Sequence, residues 1–251
     1  MAGAWLFSSC AVYLPATPST PLLRSQGEVE VTASALPPGK LEVSAAWVPA
    51  ASILLTLEAG MLQTSNDEVG NNANSEDQNQ HRQVGVGFGT YRLLRADKSV
   101  YLGIVGGMGI SWASIYDGEF DSHLVAFTRS PQLTLYKAAY QRSYCQLYVA
   151  KTSRLLSYGA SLRSTFVHYR TLTRNDVPIT STASFYLEPT AFMRIGRGAW
   201  QGQIVLGTSL PNAVDANSPD MANVSPFSMI TSVGIVLRPH LLRHRPARPA
   251  E

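Results

Sequence analysis

Ten stretches of this 251-residue chain alternate large apolar residues with small or polar ones, and the connections between them alternate between short and long. Successive side chains of a strand point to opposite faces, so a period of two over many segments predicts a sheet with one apolar face. The stretches fall at about 27–36, 40–49, 52–64, 83–94, 99–115, 138–151, 155–171, 184–196, 199–210 and 226–238. "VPAAS", "RADKS", "KTSR" and "GRGA" are the short links; "TSNDEVGNNANSEDQNQHRQ", "IYDGEFDSHLVAFTRSPQLTLYKAA", "TLTRNDVPITST" and "NAVDANSPDMANVSP" are the long polar ones. "ALPPGK", the first link, is short where the rule asks for a long one. Adjacent antiparallel strands place alternate links at opposite ends, so one end of the sheet carries tight turns and the other long connections. No helical period of useful length is present, and no run of 18 apolar residues suits a membrane-spanning helix.

The faces decide what surrounds the sheet. In "KLEVSAAWVPAASILLTLEAG", Leu41, Val43, Ala45 and Trp47 oppose Glu42 and Ser44, and Glu58 follows on the next strand. Leu156, Tyr158, Ala160, Leu162 and Phe166 oppose Ser157, Gly159, Ser161, Arg163 and Thr165; Phe185, Leu187, Ala191, Met193 and Ile195 oppose Tyr186, Glu188, Thr190 and Arg194. A soluble barrel turns its large residues inward and coats its outside with charge. Here charged residues are only 15% of the chain, and the polar face is small, neutral and rich in glycine, as at Gly85, Gly87, Gly89, Gly103, Gly107 and Gly109. That face suits a narrow lumen, and the apolar face then meets lipid. The expected fold is all-β: a closed antiparallel up-and-down transmembrane barrel of about ten strands (8–12). Glu28, Glu30, Glu42, Glu58 and Glu188 should meet Arg142, Arg163 and Arg194 in a charge network across its lumen, because a buried charge holds only when paired. Pro189 interrupts a strand and asks for a bulge or a site beside that network.

In loop asymmetry, dyad alternation and the closing strand "FSMITSVGIVL", residues 27–238 resemble the small outer-membrane β-barrel proteins of Gram-negative bacteria, the OmpA/OmpX-like barrel superfamily. The chain departs from the pattern by continuing past that strand with a basic tail, 239–251, expected to be disordered. The opening "MAGAWLFSSCAVYLP" resembles a bacterial lipobox, with Ser8 and Ser9 before Cys10 as the lipidated residue; residues 11–26, rich in Pro, Ser and Thr, read as an extended tether. Cys145, in phase with Leu147 and Val149, reads as a small hydrophobe on the apolar face. The resemblance implies location in the outer membrane with both termini periplasmic, a monomer, outer-membrane lipid and lipopolysaccharide as surroundings, and the barrel-assembly machinery as a partner.

Activity is the least determined property. The net charge of +3 lies largely in the tail, and without a basic stripe interleaved with aromatics nucleic acid is not an expected partner. No metal site and no cofactor is expected, and two cysteines build neither a disulfide framework nor a zinc cluster. Asp121 and His123 in "DSH", with His81 and His168, are the candidates for a hydrolase at the extracellular rim, but no second acidic pair answers the first. His168 and Ser164 stand at helical rather than strand spacing. The expectation is a non-enzymatic barrel with a structural, adhesion or surface-binding role and a lumen largely filled by side chains. A narrow diffusion pore and a rim hydrolase are the alternatives.

Overall fold

The computed structural model describes residues 12–36, 39–65, 78–94, 97, 99–118, 133–179, 183–212 and 228–242. Its strands are β1 (Val29–Leu36), β2 (Lys40–Trp47), β3 (Ile53–Ser65), β4 (Gln78–Leu94), β5 (Val100–Gly118), β6 (Leu133–Thr152), β7 (Leu156–Arg174), β8 (Val177–Pro178), β9 (Ser184–Arg197), β10 (Trp200–Asn212) and β11 (Ser228–Leu237). Ten of them are the ten alternating stretches. The two-residue β8 folds back on β7 through Asn175 and Asp176, both at positive φ, the backbone of a tight two-residue hairpin.

Each long strand pairs antiparallel with its neighbours, β6 pairs with β7, and β1 pairs with β11 from Val31↔Leu237 to Ala35↔Val233. The sheet is therefore a closed ten-stranded barrel with β8 as an appendage. Closure leaves no long edge for another chain to pair with. The wall is uneven in height: β1 and β2 have 8 residues each, whereas β5, β6 and β7 have 19, 20 and 19. That side continues well beyond the ends reached from the sequence, because alternation there persists in polar residues.

Both faces fall as the alternation requires. Leu41, Val43, Trp47, Ile104, Met108, Trp112, Leu162 and Ile235 are exposed on the outside, while Glu42, Glu58, Arg142, Arg163, Glu188 and Arg194 are buried within. Cys145 is exposed on the outer face. Glycines on the inner face of β5 make room for β6 tyrosines: a Cβ on Gly103 would lie 2.6 Å from the Tyr148 hydroxyl. Pro189 faces outward opposite Leu162, and the β9–β10 ladder skips Glu188 and Pro189 before resuming at Leu187↔Leu210 in unchanged register. The missing N–H is thus accommodated by a gap in one ladder and needs no bulge.

Residues 12–23, most of the segment read as a tether, lie inside the barrel. Val12 and Tyr13 are buried among Ala113, Ile115, Tyr136, Tyr140, Tyr169 and Tyr186, at the end where the long connections leave. Leu22 and Leu23 are buried with Val48, Leu54, Tyr101, Tyr148 and Val205 near the short-turn end. Eleven residue steps reach at most about 40 Å, enough to run the length of the lumen. Val29 and Leu237 both stand at the short-turn end, but the chain before β1 crosses the barrel, so residue 12 sits at the opposite end.

Candidate functional site in the barrel lumen

Four carboxylates organise the lumen. On β3, Glu58 accepts from Arg142 Nη2 at 3.0 Å and from Arg163 Nη2 at 2.7 Å; both guanidiniums are buried. Arg163 also donates to Gln146 Oε1 through Nε and Nη2, at 3.0 and 2.8 Å, and lies 4.3 Å from the centre of the Tyr144 ring. This arrangement joins β3, β6 and β7 across the barrel. Glu30 on β1 binds Arg194 Nη1 at 2.9 Å and Arg238 Nη2 at 3.0 Å, and Gln203 supplies a further acceptor to Arg194 at 2.7 Å. Each of these bonds has at least one charged partner, which makes it stronger than a bond between neutral groups.

Glu42 and Glu188 are met differently. Lys40, two residues before Glu42 on the same face of β2, approaches it at 2.8 Å, and Gln83 donates to it at 3.1 Å. The arginine expected beside Glu42 is therefore a lysine, and Arg194 belongs to Glu30. Glu188 on β9 accepts hydroxyl bonds from Tyr13 at 2.8 Å, Thr165 at 2.9 Å and Ser209 at 3.2 Å. Glu28 stands outside the network. It lies partly exposed at the short-turn end, accepts from the Arg24 amide at 2.6 Å and lies 4.0 Å from His240. Its position before the first residue of β1 puts it below the lumen.

Residues 12–24 fill the space these side chains enclose. Glu42 accepts the Thr17 amide at 3.0 Å, and Glu30 accepts the Leu22 amide at 3.4 Å. Lys40 Nζ donates to the Pro15 carbonyl at 2.5 Å, Gln146 to that of Ser19 at 2.8 Å, Arg194 to that of Thr20 at 2.8 Å and Tyr148 to that of Pro21 at 3.0 Å. A lone extended chain inside a barrel has no neighbouring strand to satisfy its backbone, and an unpaired buried amide costs about 1–3 kcal/mol. The wall side chains take that role. Pro15, Pro18 and Pro21, three residues apart, remove three donors that would need partners. Tyr13 stacks on Tyr186 with ring centres 4.1 Å apart. Beside Thr17 a cavity bounded by Glu42, Glu58, Gln83 and Arg194 has a volume of about 20 Å³, room for roughly one water.

Cys10, Asp121 and His123 lie outside the described residues. His81 is buried inside the barrel, where its Nε2 pairs with the Tyr140 hydroxyl at 2.8 Å. His168 points outward, and Ser164 is four strand residues away, about 13 Å, so the two do not meet. Among the described residues no group of three His, Cys, Asp or Glu side chains converges as metal ligands would. Lys40, Gln83, Gln146, Gln203 and Arg238 were missed as members of the network. Parity could have found Lys40, Gln83 and Gln146, which share the inward phase of Glu42, Gly85 and Arg142. The threading of residues 12–24 had no such signal. No family model and no curated protein matches the chain.

Proposed function

We propose that this protein is a non-enzymatic β-barrel of the Gram-negative outer membrane, with a structural, adhesion or surface-binding role carried by its long connections. The observation that carries the reading is the outward apolar band. Phe88, Val233 and Met229 are 62%, 62% and 64% exposed, on a surface where large apolar side chains dominate and Ser143 and Ser164 are small polar interruptions. On β5 the band runs from Leu102 to Trp112, ten steps. At roughly 3.3 Å per step and a tilt near 40° its height is about 25 Å, the dimension of the apolar belt of such barrels. Trp112 lies toward one edge of the band and Trp47, Tyr158 and Trp200 toward the other, where aromatic girdles belong. From the level of Trp112 onward the outer face turns polar, with Arg82 and Thr171 in register with it and Ser114 and Lys137 beyond, as suits lipopolysaccharide headgroups and water. Arg92, Lys151, Arg154 and Arg197 are exposed near the short-turn end, which we assign to the periplasm, and suit phospholipid headgroups.

The filled lumen favours a closed barrel over a diffusion pore. A rim hydrolase finds little support in His81, held inside by Tyr140, or in His168, remote from Ser164. The protein acts as a monomer that enters the membrane through the barrel-assembly machinery, with no cofactor. Fractionation tests the assignment: the protein should resist carbonate extraction and migrate faster on gels before heating than after. Recovery as a soluble monomer without detergent would overturn it.

A further inference from the structure

The lumen recognises its occupant chiefly through the backbone. Six main-chain groups of residues 15–22, two amides and four carbonyls, engage side chains from β1, β2, β6 and β9, on several sides of the barrel. Residues 12–23 carry no charge, which matches a wall whose ionic groups are already paired with one another. Side chains of the segment add an anchor at each end. Tyr13 reaches Glu188 and stacks on Tyr186, and Leu22 with Leu23 enters an apolar cluster near the short turns. Between these anchors the prolines at every third position hold the chain extended, which lowers the entropy lost on binding.

We infer that the lumen is a binding site for an extended, uncharged, proline-spaced peptide, which the protein occupies with its own residues 12–23, and that it binds such a peptide supplied as a separate molecule. A segment retained merely by its covalent link would rely on a high local concentration and would need no set of matched donors and acceptors. Here the Thr17 amide makes a charge-assisted bond to Glu42 at 3.0 Å, and such a bond contributes about tenfold or more in affinity, while the Leu22 amide approaches Glu30 at 3.4 Å. The inference rests on the barrel and its lumen and does not depend on membrane location or on the role of the loops.

The test uses the full chain folded in detergent, with a specific protease site inserted between the exposed Ser25 and Gln26 and cut after folding. The cut N-terminal fragment should co-elute with the barrel, and a labelled synthetic peptide of residues 12–24 should exchange with it saturably. A peptide with Thr17→Pro and Leu22→Pro, which lacks both amides that reach Glu42 and Glu30, should bind at least 10-fold more weakly. Immediate loss of the fragment from a barrel that keeps its folded gel mobility would overturn the inference, as would equal binding of the proline-substituted peptide. The uncut native chain provides an independent measurement. The amides of Thr17 and Leu22 should exchange hydrogen at least 100-fold more slowly than in the free peptide, and exchange at the free-peptide rate would likewise overturn it.

Discussion

Replacing Glu58 with Gln leaves two buried guanidiniums facing each other without their shared carboxylate. Glu58 accepts one charged hydrogen bond at 3.0 Å from Arg142 and another at 2.7 Å from Arg163, and its side chain is only 6% exposed. Each charge-assisted bond contributes about 1.5–3 kcal/mol net, and breaking a buried pair by removing one partner costs about 3–5 kcal/mol. We expect Glu58→Gln to destabilise by about 3–5 kcal/mol, measured by urea unfolding in detergent micelles with the heat-dependent gel shift as readout. Arg163→Gln should cost about as much, because it also strips Gln146 and Tyr144 of their cationic partner. The double variant removes one of the two guanidiniums that Glu58→Gln leaves unpaired, while Arg142 still lacks its carboxylate, so the two costs should fall short of additivity by about 1–3 kcal/mol. The same cycle on Glu30 and Arg194 should couple, whereas Glu42 and Arg194 should add within about 0.5 kcal/mol, since Glu42 is held by Lys40. Additivity at Glu58 and Arg163 would refute the reasoning. It would mean that the two charges are separately hydrated and the lumen is open to water.

The outer and inner faces should respond differently to charge. Met108→Arg should cost about 2–4 kcal/mol in a bilayer, because it places a cation near the middle of the apolar band. Ser161→Arg should be at least as damaging in micelles and bilayers alike, since Ser161 is buried against Thr190 at 2.7 Å in a lumen with no space to spare; a mild effect there would argue against the filled interior. Gly103→Val should destabilise by about 1–3 kcal/mol, read by the same unfolding assay, through collision with the Tyr148 ring. Tyr13→Phe should cost about 1–3 kcal/mol by leaving Glu188 with one donor fewer, and a neutral result would place Tyr13 outside the lumen. Cys145 should react with an apolar maleimide in liposomes and resist a charged one; equal reaction with both would contradict its lipid-facing position.

The strands were legible in the sequence because alternation is a local property. Leu156 to Phe166 declares its two faces whatever its neighbours are, and ten such segments with links of alternating length leave few arrangements besides a closed up-and-down barrel. Orientation of each charge was legible for the same reason: Glu42, Glu58, Arg163 and Arg194 point inward by parity alone. Their partners were not. Whether Glu42 meets Lys40 or Arg194 depends on the stagger of strands around the barrel, a property of closure that no single strand encodes. The segment from Val12 to Arg24 lay furthest from reach. Its prolines, threonines and small residues say that it is extended, and an extended chain in water and one threaded through a lumen share that composition. The barrel decides between them, because only there do Glu30, Glu42, Gln146, Tyr148 and Arg194 come together around a line of backbone amides and carbonyls that have no strand beside them.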